Sequence, residues 1–200
     1  MNQTPYILVL FYSRHGSVNE MAKHIARGVN KVNDIEVKIR QVPDVSDSTK
    51  VASPAIPEEG APYCTLDELA ECTGLAIGSP SYFGSMAAPL KHFIDQTSTL
   101  WLTGRLIDKP ACGFTSASTM HGGQEQCIHS MMTPLLHHGM VWVGLPYRNK
   151  ELINTATGGT PYGASHLANN TNETTLTEDE KALCEAQGKR IAEFALQLKK

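Results

Sequence analysis

The reading of the fold turns on Tyr6-Ile7-Leu8-Val9-Leu10-Phe11-Tyr12, followed at once by Ser13-Arg14-His15-Gly16-Ser17-Val18. The first segment is an unbroken apolar run, as expected for a parallel strand covered on both faces. The second is a short polar loop. Beyond it Val18, Met21, Ala22, Ile25, Ala26, Val29 and Val32 fall at helical spacing and make one apolar stripe. Val37, Ile39 and Val42 then alternate with polar residues, the pattern of a strand near a sheet edge. A strand, a helix and a strand in that order are one right-handed βαβ unit.

The pattern repeats along the chain. Pro43 to Pro62 carries four prolines and little periodicity, and reads as an insert. Thr65-Leu66-Asp67-Glu68 is a capping box that opens a short helix. Strands are expected at Leu75–Gly78, Ala111–Phe114 and Met140–Val143. Helices are expected at Met86–Leu100 and Gln124–His138, the second with Pro134 as a late kink. Tyr147 to Thr175 is a second irregular insert, rich in Gly, Thr and Asn. Thr177-Glu178-Asp179-Glu180 caps the last helix. The expectation is one domain over residues 1–200. Its core is a doubly wound, five-stranded parallel sheet of order 2-1-3-4-5, with helices on both faces and two long inserts.

Composition narrows the function. The chain has 200 residues and a formal charge of −3, with no basic stripe, so a nucleic-acid partner is not expected. Five scattered cysteines without a C-x-x-C pair read as reduced thiols, and no metal site is expected. No segment approaches the length of a membrane span, and no signal peptide is evident, which points to the cytoplasm.

In this architecture ligands bind outside the carboxyl ends of the strands. Ser13, Arg14, His15, Gly16, Ser17 and Val18 lead into a helix N-terminus, where hydroxyls and free N–H groups make a phosphate site. There is no Walker lysine and no G-x-G-x-x-G, so a flavin monophosphate suits the loop better than a nucleoside triphosphate or a dinucleotide. An ordinary N-cap by Ser17 with a solvated Arg14 accounts for the same residues. A phosphorelay receiver needs carboxylates after strands one and three, and this chain has Ser13 and Gly78-Ser79-Pro80 there. After the third strand Ser81, Tyr82, Phe83 and Gly84 offer aromatic walls for a flavin ring, although a lone Phe83 reads more readily as a core residue under the loop. After the fourth, Ser116, Ala117, Ser118, Thr119, Met120, His121 and Gly122 let backbone amides approach a ring edge where reduction leaves negative charge. The neighbours His137 and His138 point to different sides of a helix and form no metal pair.

Taken together, the segments LVLFYSRHGSV, GSPSYFGSM, FIDQTSTLW, KPACGFTSASTMHGGQEQ, PLLHHGMVWVGLPY and GGTPYGASH resemble the WrbA family of NAD(P)H:quinone oxidoreductases over essentially the full chain. The resemblance implies FMN, NADH or NADPH as electron donor, two-electron reduction of quinones, and homotetramers in which neighbouring subunits complete each site. It implies FMN contacts from the three loops above and from His137. It also implies a substrate cavity bounded by His15, Phe83, Trp101 and His137. No side chain is assigned as an essential acid or base. Where the family often has Thr-Arg-Phe this chain has Ser81-Tyr82-Phe83, and His15 replaces a family tyrosine. The third loop is one residue longer than in some members.

Two other readings compete. A flavodoxin-type electron carrier would use a marked acidic face and has no need of the inserts, whereas the charge here is only −3. A flavin-binding regulatory or scaffold protein would need a partner-binding motif, and none is visible.

Overall fold

The computed structural model describes residues 4–46 and 57–199. The apolar run forms strand β1 (Tyr6–Phe11), buried throughout. On one side β1 pairs in parallel with β2 (Glu36–Gln41), which lies at the sheet edge as its alternating pattern implied. On the other it pairs in parallel with β3 (Gly74–Tyr82). β3 ends in a tight hairpin to the two-residue strand β4 (Ser85–Met86) and also pairs in parallel with β5 (Pro110–Ala117). The order is the expected doubly wound one, with the hairpin strand as an addition.

The fifth position differs from expectation. It is shared by two short strands laid end to end against β5. β6 (Val141–Trp142) pairs with Pro110 and Ala111, and β7 (Gly163–Leu167) pairs with Gly113 to Ala117. The chain leaves this row at Gly144 and rejoins it after Pro161, where the Leu145 N–H donates to the Pro161 carbonyl at 2.8 Å. The second insert therefore contains half a core strand. Gly163-Ala164-Ser165-His166 carries no strand signal because it has no β-branched residue and no Phe, Tyr or Trp. Small residues fit there because a Cβ on Gly163 would strike the Gly113 carbonyl.

Two helices cover one face of the sheet, α1 (Ser17–Val29) and α7 (Glu178–Leu198). Ile7, Val9 and Phe11 meet Met21, Ile25 and Ile191 there. α1 and α7 cross closely because Gly28 faces the Glu185 carbonyl and Gly188 faces the Ile25 carbonyl, with no room for a Cβ at either. The other face carries α2 (Leu66–Glu71), α3 (Ala88–Asp95) and α5 (Gln124–His137) over Leu8, Leu10, Leu75 and Ile77. Each such fully buried aliphatic side chain contributes roughly 1.5–3 kcal/mol of burial. Both capping boxes are formed, at Thr65 with Glu68 and at Thr177 with Glu180. α5 continues across Pro134.

The helix expected at Met86–Leu100 is broken. Met86 belongs to β4, and α3 stops before α4 (Ser98–Leu102) begins. At the break the buried Thr97 turns its hydroxyl back onto the Ile94 carbonyl at 2.6 Å, a bond that competes with helix continuation. A further short helix, α6 (Glu151–Asn154), lies in the second insert. Of the first insert, residues 47–56 lie outside the described residues. Its start is tied to the end of β1 by the Tyr12 hydroxyl donating to Asp44 at 2.7 Å. Its end returns along β2, where Tyr63 bridges Gln41.

Candidate functional site

β1, β3 and β5 end side by side, and the loops leaving them enclose a cavity of about 130 Å³. The first wall is Ser13, Arg14, His15, Ser17 and Val18; the second is Ser81 and Tyr82; the third is Ser116, Ala117 and Ser118. All were expected at a ligand site from the sequence. Pro80, Ala168 and Asn172 also line the cavity and were not singled out. Pro80 stands inside the loop that drew attention, but Ala168 and Asn172 arrive from the second insert, through a strand the sequence did not signal.

The first wall is organised around the N-terminus of α1. Gly16 is its N-cap at φ 96°, a left-handed conformation that glycine adopts without strain. The Ser13 hydroxyl oxygen accepts from the Gly16 and Asn19 N–H groups at 3.2 and 3.3 Å. Of the N–H groups that a helix start leaves without intrahelical partners, those of Ser17 and Val18 remain for a ligand. Together with the helix dipole and the exposed Arg14, they suit an anion. The Ser17 side chain is itself buried and donates to the Glu173 carbonyl at 3.0 Å, so its proton is already engaged.

The second and third walls are longer strands than expected. β3 runs to Tyr82 and β5 to Ala117, with Ser79 opposite Thr115 and Pro80 opposite Ser116. Ser79 and Thr115 read as loop, yet their hydroxyls are consumed inside the sheet end. Thr115 donates to the Ser79 carbonyl at 2.7 Å, and the Ser79 hydroxyl accepts from the Ala87 N–H at 2.8 Å. Ser81 donates to the Gly122 carbonyl at 2.7 Å and so fastens the third loop to β3.

Other expected residues surround this centre without lining it. Phe83 sits at the tip of the β3–β4 hairpin at φ 53°, fully exposed, and is not a core residue. Gly84 packs behind it against Gly123. Thr119 and Gly122 close the turn of the third loop, the Gly122 N–H donating to the Thr119 carbonyl at 3.0 Å. Met120 and His121 face a separate cleft of about 640 Å³ shared with His129 and Thr160. On the opposite side of Arg14 and Tyr82 a cleft of about 920 Å³ adjoins the cavity, bounded also by Tyr12 and Asp44. Burial and the bond to Asp44 push the Tyr12 phenol well above its ordinary value, so it stays protonated.

His137 and Trp101 are not brought to this cavity within one chain. α5 starts beside the hairpin and runs 14 residues away from it, roughly 20 Å, before reaching His137. At that far end His138 lies 2.8 Å from Thr97, just before α4, which carries the half-exposed Trp101. Leu102, Ile107 and Leu136 are exposed on the same end of the molecule. The cavity and the Trp101–His137 region thus occupy opposite ends of α5. A polar cleft of about 700 Å³ between α1 and the start of α7 is less suited to a ligand, since Glu20, Glu178 and Glu185 along it already pair with Lys23, Lys181 and Lys31.

Residues 5–152 match the family model described as NADPH-dependent FMN reductase. The chain belongs to this family. It is 42% identical over 203 residues to a protein of Geotalea daltonii named NAD(P)H dehydrogenase (quinone), the match covering 96% of this chain and 97% of the relative. A protein of the same name from Syntrophobacter fumaroxidans is 40% identical, covering 96% and 98%. Among solved structures, the flavodoxin, WrbA-like protein from Agrobacterium tumefaciens superposes with a TM-score of 0.66 at 20% identity, covering 98% of this chain and 99% of that one. At that identity the last match speaks for the flavodoxin-like fold. Membership of the FMN reductase family rests on the first three.

Proposed function

We propose that this chain is an FMN-dependent NAD(P)H:quinone oxidoreductase. The observation that carries the reading is the single cavity in which an anion-binding helix N-terminus, an aromatic strand end and a wall of small hydroxyl residues converge. The residues fit the group: a phosphate would meet the Ser17 and Val18 N–H groups beside Arg14, and a planar ring can approach a backbone that carries only Ser116, Ala117 and Ser118. When bound, FMN supplies a centre that takes a hydride from NADH or NADPH and hands the electron pair to a quinone.

The chain's own residues bind and orient. Ser13, Gly16, Ser17 and Val18 hold the phosphate end. Ser81 locks the third loop in place, and Tyr82 and Phe83 form the rim over which both substrates reach the ring. Thr119, Met120, His121 and Gly122 continue the loop beyond the third wall, with the Gly122 N–H already given to the Thr119 carbonyl. Backbone N–H donors of the third wall would stabilise the charge that reduction leaves on a bound ring, at no cost of reorganisation during the reaction. No side chain is needed as a strong acid, because a hydroquinone anion can take its proton from water or from His137.

We further propose that residues 1–200 act as one FMN-binding unit within a cytoplasmic homotetramer. The separation of Trp101 and His137 from the cavity of their own chain supports this, since a neighbouring copy can supply both. Free thiols at all five cysteines are in keeping with a reducing compartment. Among the described residues no helix is long and apolar enough to cross a membrane.

If both substrates use the same face of the ring in turn, steady-state NAD(P)H oxidation at several fixed quinone concentrations gives parallel double-reciprocal lines. Intersecting lines would refute the shared site. A chain reconstituted with FMN that shows no quinone-dependent NADH or NADPH oxidation would refute the enzyme reading itself.

A further inference from the structure

Behind the phosphate loop lies a buried polar relay that the proposed chemistry does not use. Glu180, on the first turn of α7, is 1% exposed and accepts four hydrogen bonds. Its Oε1 accepts from the Gly158 and Leu167 N–H groups at 2.9 and 3.0 Å. Its Oε2 accepts from the Thr177 N–H and faces His166 Nδ1, each at 2.9 Å. A carboxylate with its lone pairs filled by donors is held ionised. On the far side of the imidazole, His166 Nε2 lies 2.9 Å from the Glu173 carbonyl oxygen. The same oxygen accepts the Ser17 hydroxyl at 3.0 Å.

Both ring nitrogens of His166 therefore face atoms that can only accept. A neutral ring carries one N–H, and either tautomer would set a lone pair against an oxygen in a site 1% exposed. An imidazolium, with an N–H on each side, satisfies both contacts. Its position explains why it matters: β7 pairs His166 with Ser116 of the third wall, while the Glu173 carbonyl it grips anchors Ser17 at the start of α1.

We propose that His166 is a positioning residue for the phosphate site, an imidazolium that clamps the Glu173 carbonyl and through it the Ser17 end of α1, so that cofactor retention depends on its charge. This rests on the FMN reading and extends it to the regulation of the same site. The groups that bear on the ring are few. α7 presents Glu180 and the loop before it presents Glu173, while α1 contributes the Ser17 hydroxyl and β5 contributes Ser116. Burial opposes the charged form, but the bonds to Glu180 and to the Glu173 carbonyl outweigh it and raise the ring above its ordinary value of 6.5. A raised value means that the clamp is complete below about 6.5 and is lost as pH rises through the folded value. The phosphate of FMN works in the opposite direction, since its second ionisation strengthens binding to a helix N-terminus as pH rises through about 6.

Nitrogen-15 NMR of the histidine-labelled chain without flavin should show both His166 nitrogens protonated at pH 7, and a neutral ring there overturns the proposal. FMN titrations followed by flavin fluorescence should show affinity falling about tenfold from pH 6.5 through the pH at which the nitrogen-15 shifts report loss of a His166 proton, the effect of one charge-assisted hydrogen bond. His166→Gln, which cannot carry the charge, should bind about tenfold more weakly at pH 6.5 and change less than about twofold over the same range. Ser17→Ala, which cuts the relay on its other side, should also flatten the profile, and it decides the matter if the glutamine variant does not fold. Tight FMN binding with no pH dependence, or with the same slope in both variants, overturns the relay and leaves the FMN reading standing. No FMN binding at any pH overturns both.

Discussion

Ser17 and Glu180 show how single residues at this site are committed before any ligand arrives. The Ser17 hydroxyl is spoken for by the Glu173 carbonyl, so what the residue can offer a phosphate is its backbone N–H and its lack of bulk. Ser17→Asp would set a carboxylate against both that carbonyl and the incoming phosphate. The variant should purify as apoprotein, read from the ratio of flavin to protein absorbance. Full flavin occupancy would overturn the phosphate assignment. For Glu180, burial alone would raise the carboxyl, but the bonds from His166 and from the Leu167 and Thr177 N–H groups bring it down to about 2. A lowered value means stability that is present above the unfolded value of 4.5 and lost as pH falls towards about 2. Tm should therefore drop steeply below pH 4.5. Glu180→Gln should blunt that acid limb while lowering Tm at pH 7, because in either orientation its amide NH2 would oppose at least one backbone donor. An acid limb unchanged in the variant would assign the effect to other carboxyls.

The elements were legible where side-chain pattern and burial agree. β1 is apolar throughout because both its faces are covered, and the stripe of α1 matches the face it buries. Two strands extend further at their carboxyl ends than their side-chain pattern implies, since Ser79 and Thr115 look like loop and are buried because the sheet end satisfies their hydroxyls. β7 was missed for the related reason that it is built of small residues fitted against β5. The crossing of α1 and α7 gives a direct check at this scale. A side chain at Gly188 would strike the Ile25 carbonyl, so Gly188→Val must push the helices apart. Overpacking of that kind costs roughly 2–3 kcal/mol and should lower Tm by about 5–10 °C in calorimetry. An unchanged Tm would mean the helices cross less closely than described.

At the level of the whole molecule, the cavity lies at one end of α5 and the Trp101–His137 region at the other. Exposed Phe83 and Met120 near the first, and exposed Leu102, Ile107 and Leu136 near the second, put apolar side chains on each end. Apolar surface on both ends is what an assembling subunit presents, and closed two-fold interfaces are the commonest way to cover it. If a neighbouring copy completes each cavity, FMN favours the assembled state by mass action. Dilution should then release flavin and activity together, and added FMN should move the transition to lower protein concentration. A species that light scattering finds monomeric, yet fully active as a quinone reductase, would refute the shared site.

By itself the sequence determined the doubly wound sheet and the three loops that carry the site, because strand burial, helix periodicity and capping are local signals written in side-chain type. It also marked Ser13 to Val18 as a candidate anion loop, since a helix start rich in hydroxyls and glycine is a short-range pattern. Only the tertiary structure decided that half of the fifth strand comes from within the second insert, and that Ala168, Asn172 and Glu173 therefore stand beside the first loop. It alone separated Trp101 and His137 from the cavity, and it alone placed His166 between two acceptors. These facts depend on pairing and packing between residues far apart in the chain, and long-range contact leaves no periodicity in the sequence to read.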